Sequence, residues 1–63
     1  MDGKRTGFTD INGRDIFINM ICEDIRSFGT VVIKELNGMV YAVPNGLNPE
    51  LLEDIASDLK IIR

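Results

Sequence analysis

The sequence feature that most constrains the fold is the dipeptide Asn37-Gly38, which lies between two runs rich in β-branched and aliphatic residues. The flanking runs, TVVIKEL and MVYAVP, have the composition of strands, and Asn and Gly both tolerate the positive φ angles of a type I′ turn. The sequence therefore predicts an antiparallel hairpin over about residues 30–43, because a two-residue loop fixes the strand register. The predicted pairs are Leu36 with Met39, Lys34 with Tyr41, Val32 with Val43, Glu35 with Val40 and Ile33 with Ala42.

The C-terminal segment carries the signals of an amphipathic helix over about residues 49–62. Asn48 is a favourable N-cap, Pro49 suits the first helical position, and Glu50 and Glu53 place negative charge near the helix start. The apolar side chains fall within one arc of about 100°, the width of a core-facing stripe. They are Leu51, Leu52, Ile55, Leu59 and Ile62. We therefore expect an α+β fold, in which the hairpin packs against this helix.

The stretch over about residues 13–28 allows two interpretations. In the first, Asn12 caps an N-terminal helix whose apolar face would hold Phe17, Ile21, Ile25 and Phe28. In the second, Asn12-Gly13 is another hairpin turn, whose register sets Asp10 opposite Asp15, an unfavourable pairing of like charges. The helix separates polar from apolar side chains better, so it is the main prediction. The alternative is two hairpins followed by the C-terminal helix.

Length and composition restrict the domain organisation and the cellular context. A chain of 63 residues is enough for one small domain. Residues 1–7 have two glycines and no apolar pattern, so we expect a mobile arm before a single domain at residues 8–63. No stretch has the apolar length of a signal peptide or of a membrane span, and a single Cys excludes an internal disulfide. These features predict a cytoplasmic protein without membrane insertion.

The residue types that catalysis and ligand binding require are scarce. The sequence has no His, which is the commonest general base and metal ligand. Cys22 is followed by Glu23 and Asp24, whose charges disfavour a reactive thiolate. Glycine-rich phosphate loops are missing, and a net charge of −3 with scattered cations argues against nucleic acid as a partner. The sequence therefore predicts a protein that is not an enzyme and that uses no metal or cofactor.

Both faces of the predicted hairpin are apolar, whereas a sheet packed on one side normally has a polar outer face. The predicted interface residues are Val31, Ile33, Val40 and Ala42 on one face, with Met39 and Tyr41 on the other. This surplus apolar surface predicts a homodimer and a non-enzymatic protein-binding or regulatory module of bacterial or phage type. Such a module would occlude or bridge a surface of a partner protein whose identity the sequence does not give.

The order INGRDIFIN, then VVIKELNGMVYAVP, then an acidic-start helix resembles the small bacterial flagellar-operon family called FlbD or SwrD. Proteins of that family also show two Asn-Gly units, the first followed by a short apolar stretch that ends in Asn and the second by an aromatic residue and valines. The similarity extends from Ile11 to Ile62. It implies strands on both sides of Asn12-Gly13 and an accessory role in motility, as a structural component of a larger assembly.

Overall fold

The computed structural model describes residues 4–27, 29–46 and 48–62, and its secondary structure is mostly β. Within these ranges the chain forms β1 Arg5–Thr9, β2 Asp15–Phe17, β3 Ile21–Asp24, β4 Gly29–Leu36, β5 Met39–Pro44, β6 Glu50–Leu51 and β7 Leu59–Ile61. A short helix α1, Leu52–Ile55, and a 3-10 turn at Ala56–Asp58 connect β6 to β7. The expectation of an α+β fold with two long helices is therefore wrong.

The described strands form two antiparallel sheets. The larger sheet has the order β6-β5-β4-β3-β7, and β1 pairs with β2 in a separate two-stranded ribbon. Strand β1 begins at Arg5, so residues 5–7 of the predicted arm belong to the ribbon, while residues 1–3 lie outside the described residues.

The central hairpin, β4 and β5, has the predicted register. Leu36 pairs with Met39, and the pairing continues without a shift to Val32 and Val43. Asn37 and Gly38 have φ angles of 53° and 83°, the values of a type I′ turn. The right-handed twist of the strands favours this turn type, so local chemistry alone is enough to set the register.

The predicted helix over residues 13–28 is wrong, because this stretch contains β2 and β3, joined by turns, and none of its described residues is helical. The chain reverses between them in a turn closed by the Met20 N–H, which donates to the Phe17 carbonyl oxygen at 3.2 Å. Asn19 takes the positive φ of 75° that this turn requires. Isoleucines and phenylalanines are better strand formers than helix formers, which explains the outcome. Phe28, the last residue of the predicted apolar face, lies outside the described residues.

The alternative of a first hairpin at Asn12-Gly13 had the right strands but the wrong register. Asp10 lies opposite Arg14, since its N–H donates to the Arg14 carbonyl oxygen at 2.9 Å. The loop therefore has three residues, and it ends at Gly13 with a φ of 80°. This longer loop avoids the unfavourable pairing of Asp10 with Asp15 that a two-residue loop would have imposed.

The predicted helix over residues 49–62 is also wrong, since only Leu52–Ile55 is α-helical. The chain leaves the helix through the 3-10 turn, and residues 59–61 form β7 beside β3. Leu52, Ile55 and Leu59 are buried, as expected for the predicted apolar stripe. Leu52 and Ile55 lie in the short helix, however, and Leu59 lies in β7.

The core occupies one face of the larger sheet. The ribbon, α1 and the 3-10 turn supply the covering side chains, which include Ile16, Leu52, Ile55 and Ala56. From the sheet itself come Cys22, Val31, Ile33, Ala42 and Leu59. Full burial of a large aliphatic side chain is worth about 1.5–3 kcal/mol, so this cluster is the main source of stability in a chain of this size.

Asp10 joins the ribbon to the C-terminal strand. Its side chain is almost fully buried, and its Oδ1 accepts the backbone N–H groups of Asn12 and Arg14 at 2.9 and 2.8 Å. The Oδ2 atom accepts the N–H of Ile61 at 3.0 Å, and next to it the Ile11 N–H donates to the Leu59 carbonyl oxygen at 2.8 Å. The loop between β1 and β2, which we call the ribbon loop, therefore holds β7 along the edge that faces away from β3.

Burial of Asp10 raises the pKa of its carboxyl group, but the hydrogen bonds from Ile61, Arg14 and Asn12 and the charge of Arg14 outweigh that effect. The net result is a pKa below the ordinary value of 3.8. A carboxylate whose pKa is lower in the native state stabilises the fold above its unfolded-state pKa. That contribution is lost as the pH falls through the native pKa.

We expect Gly38→Val and Gly13→Val each to lower the free energy of unfolding by about 1–3 kcal/mol, because a β-branched residue is strained at positive φ. A Cβ atom at either glycine would meet no heavy atom within 4 Å, so strain of the backbone is the cause. Urea denaturation measures the loss. Gly29→Ala is the matched control, since Gly29 has no positive φ and its Cβ would make an ordinary contact. A Gly13→Val midpoint equal to that of wild type would contradict the assigned loop.

We expect wild-type stability to fall below about pH 4 and the Asp10→Asn variant to show a shallower fall. The variant should also be less stable at pH 7 by about 1–3 kcal/mol, since an amide cannot accept three N–H donors with the strength of a carboxylate. Urea midpoints measured from neutral to acid pH test both statements. Glu53→Gln, at an exposed residue, should retain the wild-type profile. Identical acid profiles for Asp10→Asn and wild type would contradict the assignment.

Candidate protein interface

The larger sheet has a second face, opposite the core, which we call the open face. Its apolar members are Ile21, Val32, Leu36, Met39, Tyr41, Val43, Leu51 and Ile62, and its polar members are Glu23, Thr30, Lys34 and Lys60. These residues follow from the pairing register, because residues directly opposite in a ladder project to the same side. None of them belongs to the core cluster or to the side chains packed against it in the described part of the chain.

An aliphatic row crosses the middle of the open face. Val43 pairs with Val32, and Val32 pairs with Ile21 on the next strand. Ile62 extends the row beyond the end of β7, since its N–H donates to the Ile21 carbonyl oxygen at 2.9 Å. Four aliphatic side chains therefore lie side by side across β5, β4, β3 and the continuation of β7.

The apolar surface continues along the strands from this row. Tyr41 pairs with Leu51 of β6, and beyond them Leu36 pairs with Met39 at the end of the hairpin. The exposed fractions of Leu36, Met39 and Ile62 are 51%, 44% and 49%. The other apolar members are partly buried. Contiguous exposed apolar surface of this kind marks interaction sites on soluble proteins.

The charges of the open face lie beside the aliphatic row. On one side Glu23 pairs directly with Lys60, and Thr30 lies next to them on β4. On the other side Lys34 donates from its Nζ atom to the Asn19 Oδ1 atom at 3.0 Å. The row itself carries no charge, which is the pattern of an interface with a dry centre and a polar rim.

The structure divides the predicted interface residues between the two faces. Val31, Ile33 and Ala42 are buried in the core, and Val40 packs partly against it, so these four belong to the covered side of the sheet. Met39 and Tyr41 lie on the open face.

The pairing of the hairpin was right, but four of the six predicted interface residues lie on the face that packs against the core. Ile21, Leu51 and Ile62 were assigned to helices and missed as members of the open face. The burial of β3 alternates, but its sequence, ICED, places two apolar residues before two acidic ones, so the pattern of apolar and polar residues could not have placed this strand.

A half-open cavity of about 370 Å³ lies at one end of the sheet, lined partly by Thr30, Val31, Pro44, Asn45 and Ile55. Arg26 lies at its wall and donates from Nε and one terminal nitrogen to the two Asp24 oxygens at 3.0 and 2.7 Å. The same terminal nitrogen donates to Glu50 Oε1 at 2.9 Å. Hydrogen bonding to Arg26 lowers the pKa of Asp24 despite its burial. Because these groups satisfy each other, their arrangement is that of a structural ion-pair network linking the β3–β4 turn to β6.

Cys22 lies in the core on β3 and is fully buried. Burial, and then the negative charge of Asp10, raises the pKa of its thiol to about 11. The thiol is therefore protonated at neutral pH, which makes it a poor nucleophile and a poor metal ligand.

Two further geometric findings concern residues 4–27, 29–46 and 48–62. No three His, Cys, Asp or Glu side chains in these ranges are placed to hold a metal ion together. No helix there has the length and apolar composition needed to cross a membrane.

Comparison with known proteins returns no significant match to a family model, to a curated protein or to a solved structure. The resemblance to the FlbD/SwrD family therefore stays a prediction from the sequence.

We expect the Cys22 thiol to react with an aromatic disulfide reagent at least about a hundredfold more slowly in the native protein than in urea, because the reagent reaches it only after local or global opening. Absorbance of the released thiolate measures the rate. Cys22→Ala should retain any binding activity within about twofold, since the thiol has no assigned role. Labelling of the native protein at the rate of the unfolded chain would show that β3 does not bury this residue.

Proposed function

We propose that this chain is a non-enzymatic protein-binding module that binds another protein through the open face. The observation that carries the proposal is the aliphatic row of Val43, Val32, Ile21 and Ile62, which lies on the face away from the core cluster, with Ile62 exposed and the other three partly buried. A sheet whose outer face meets only water normally has polar residues there, so an apolar row at its centre supports a protein partner on that face.

The chemistry of the remaining side chains also supports binding over catalysis. The chain has no His, and its one thiol is buried and protonated. The buried carboxylates Asp10 and Asp24 are both occupied by hydrogen bonds that hold loops in place. A general acid or base needs a free proton-transfer position near a bound substrate, which neither carboxylate offers in this arrangement.

A second candidate function is a structural accessory role in a larger assembly such as the flagellum, as the resemblance to the FlbD/SwrD family implies. The observation that favours it is the pair of strands β1 and β2 on either side of Asn12-Gly13, which that resemblance also implied. Regulation of the partner and a cytoplasmic location remain predictions from the sequence.

We expect Val32→Glu to abolish specific protein capture while leaving the chain folded, because a carboxylate at the centre of the row would be buried unpaired in any complex. Tagged wild-type protein and the variant would be incubated with native lysate, and the bound proteins would be quantified by mass spectrometry. A captured protein counts as bound through the open face when at least about tenfold less of it is recovered with the variant than with wild type. This criterion applies both to a different protein and to an untagged copy of this chain.

The matched control is Ser57→Glu, which adds the same charge at an exposed position on the core-covering side of the sheet. Its capture should equal that of wild type, and urea midpoints should confirm that both variants fold. Equal capture by wild type and Val32→Glu would overturn the assignment of binding to the open face.

A further inference from the structure

We infer that the partner on the open face is a second copy of this chain, stacked face to face about a two-fold axis; this inference rests on the proposed function. The centre of the face is aliphatic, and its charges, Glu23, Lys34 and Lys60, lie outside the aliphatic row. Interfaces between identical chains are more apolar at the centre than those of transient complexes, which matches this composition.

The size of the open face suits a small dimer. The molecule measures 26 × 25 × 20 Å, and five strands about 4.8 Å apart cover most of one broad side. The face therefore offers roughly 600 Å² per copy, or about 1,200 Å² in total, which is the lower limit of specific stable interfaces. Weak and transient complexes lie at this end of the size range, so self-association is to be measured over a wide range of concentration.

Stacking of faces is favoured over joining of sheet edges. The outer edge of β7 is occupied by the ribbon loop, through Ile11 on the Leu59 carbonyl oxygen and Asp10 on the Ile61 N–H. The opposite edge is β6, which has only two residues, Glu50 and Leu51. Neither edge offers a long row of free backbone groups for a second sheet to extend.

The positions of the charges select the direction of the axis. An axis along β4 would place Lys34 against the second copy's Lys34, which is repulsive. An axis along the aliphatic row instead stacks Val32 on the second copy's Val32. It also places each side of the row against the opposite side of the row in the second copy. Thr30 and Lys34 lie on opposite sides of Val32 on β4, so each Lys34 would face the second copy's Thr30. The second copy's Glu23, which pairs with that Thr30 on the neighbouring strand, would then lie within reach of the Lys34 ammonium group. The contact occurs twice, as a two-fold interface requires.

Sedimentation equilibrium over about 1 to 500 µM tests the dimer itself. We expect wild type to dimerise, and we expect Val32→Glu to be a folded monomer across this range. A wild-type monomer at the highest concentration overturns the inference, while face-dependent capture of a different protein would leave the proposed function intact. A dimer that Val32→Glu does not weaken overturns the placement of the interface on the open face.

Charge exchange tests the axis. Lys34→Glu and Glu23→Lys should each weaken self-association by at least about fivefold, because each creates two repulsive contacts in its own dimer. An equimolar mixture of the two variants should associate with wild-type affinity, since both contacts in the mixed dimer pair opposite charges. Urea midpoints check the folding of each variant. Failure of the mixture to associate more strongly than either variant alone overturns the proposed axis.

Discussion

The buried carboxylate of Asp10 is the interaction on which the arrangement of the sheet most depends. It binds its own loop through the N–H groups of Asn12 and Arg14, and it binds the end of the chain through the N–H of Ile61, 51 residues away. By holding β7 beside β3, it keeps Leu59 in the core and Ile62 at the end of the aliphatic row. Removal of this side chain would leave three part-buried N–H groups without this acceptor, and an unsatisfied donor away from water costs more than an average hydrogen bond contributes.

The parts of the fold that the sequence predicted are those set by neighbours along the chain. The β4–β5 hairpin needs only two strand-forming runs and the turn residues Asn37 and Gly38, and its register was right at every predicted pair. The first Asn-Gly unit differs because its loop is set by Asp10, whose side chain accepts N–H groups within the loop. Carboxylates that organise three-residue loops are less visible in a sequence than the Asn-Gly dipeptide itself.

The parts that the sequence did not predict depend on contacts between distant residues. Leu52, Ile55 and Leu59 satisfy a helical period, yet β7 takes Leu59 because β3 offers it a backbone ladder and Asp10 closes the outer edge. Propensity is a weak guide in such a segment, and tertiary pairing overrides it. The prediction of the candidate interface was incomplete for the same reason. Met39 and Tyr41 were recognised from the hairpin alone, whereas Ile21 and Ile62 join the open face only once β3 and β7 are paired.

The two faces of the larger sheet differ in what packs on them. Among the described residues, the ribbon and the short helix cover the side of Ile33 and Ala42. A monomer could have placed polar residues at Ile21, Val32 and Val43 without disturbing the core, because these side chains do not pack against it. β-branched residues there strengthen the strands, but Thr would do so with less exposed apolar surface. The contacts of the core therefore do not require the aliphatic row, which supports the proposal of a protein partner on the open face.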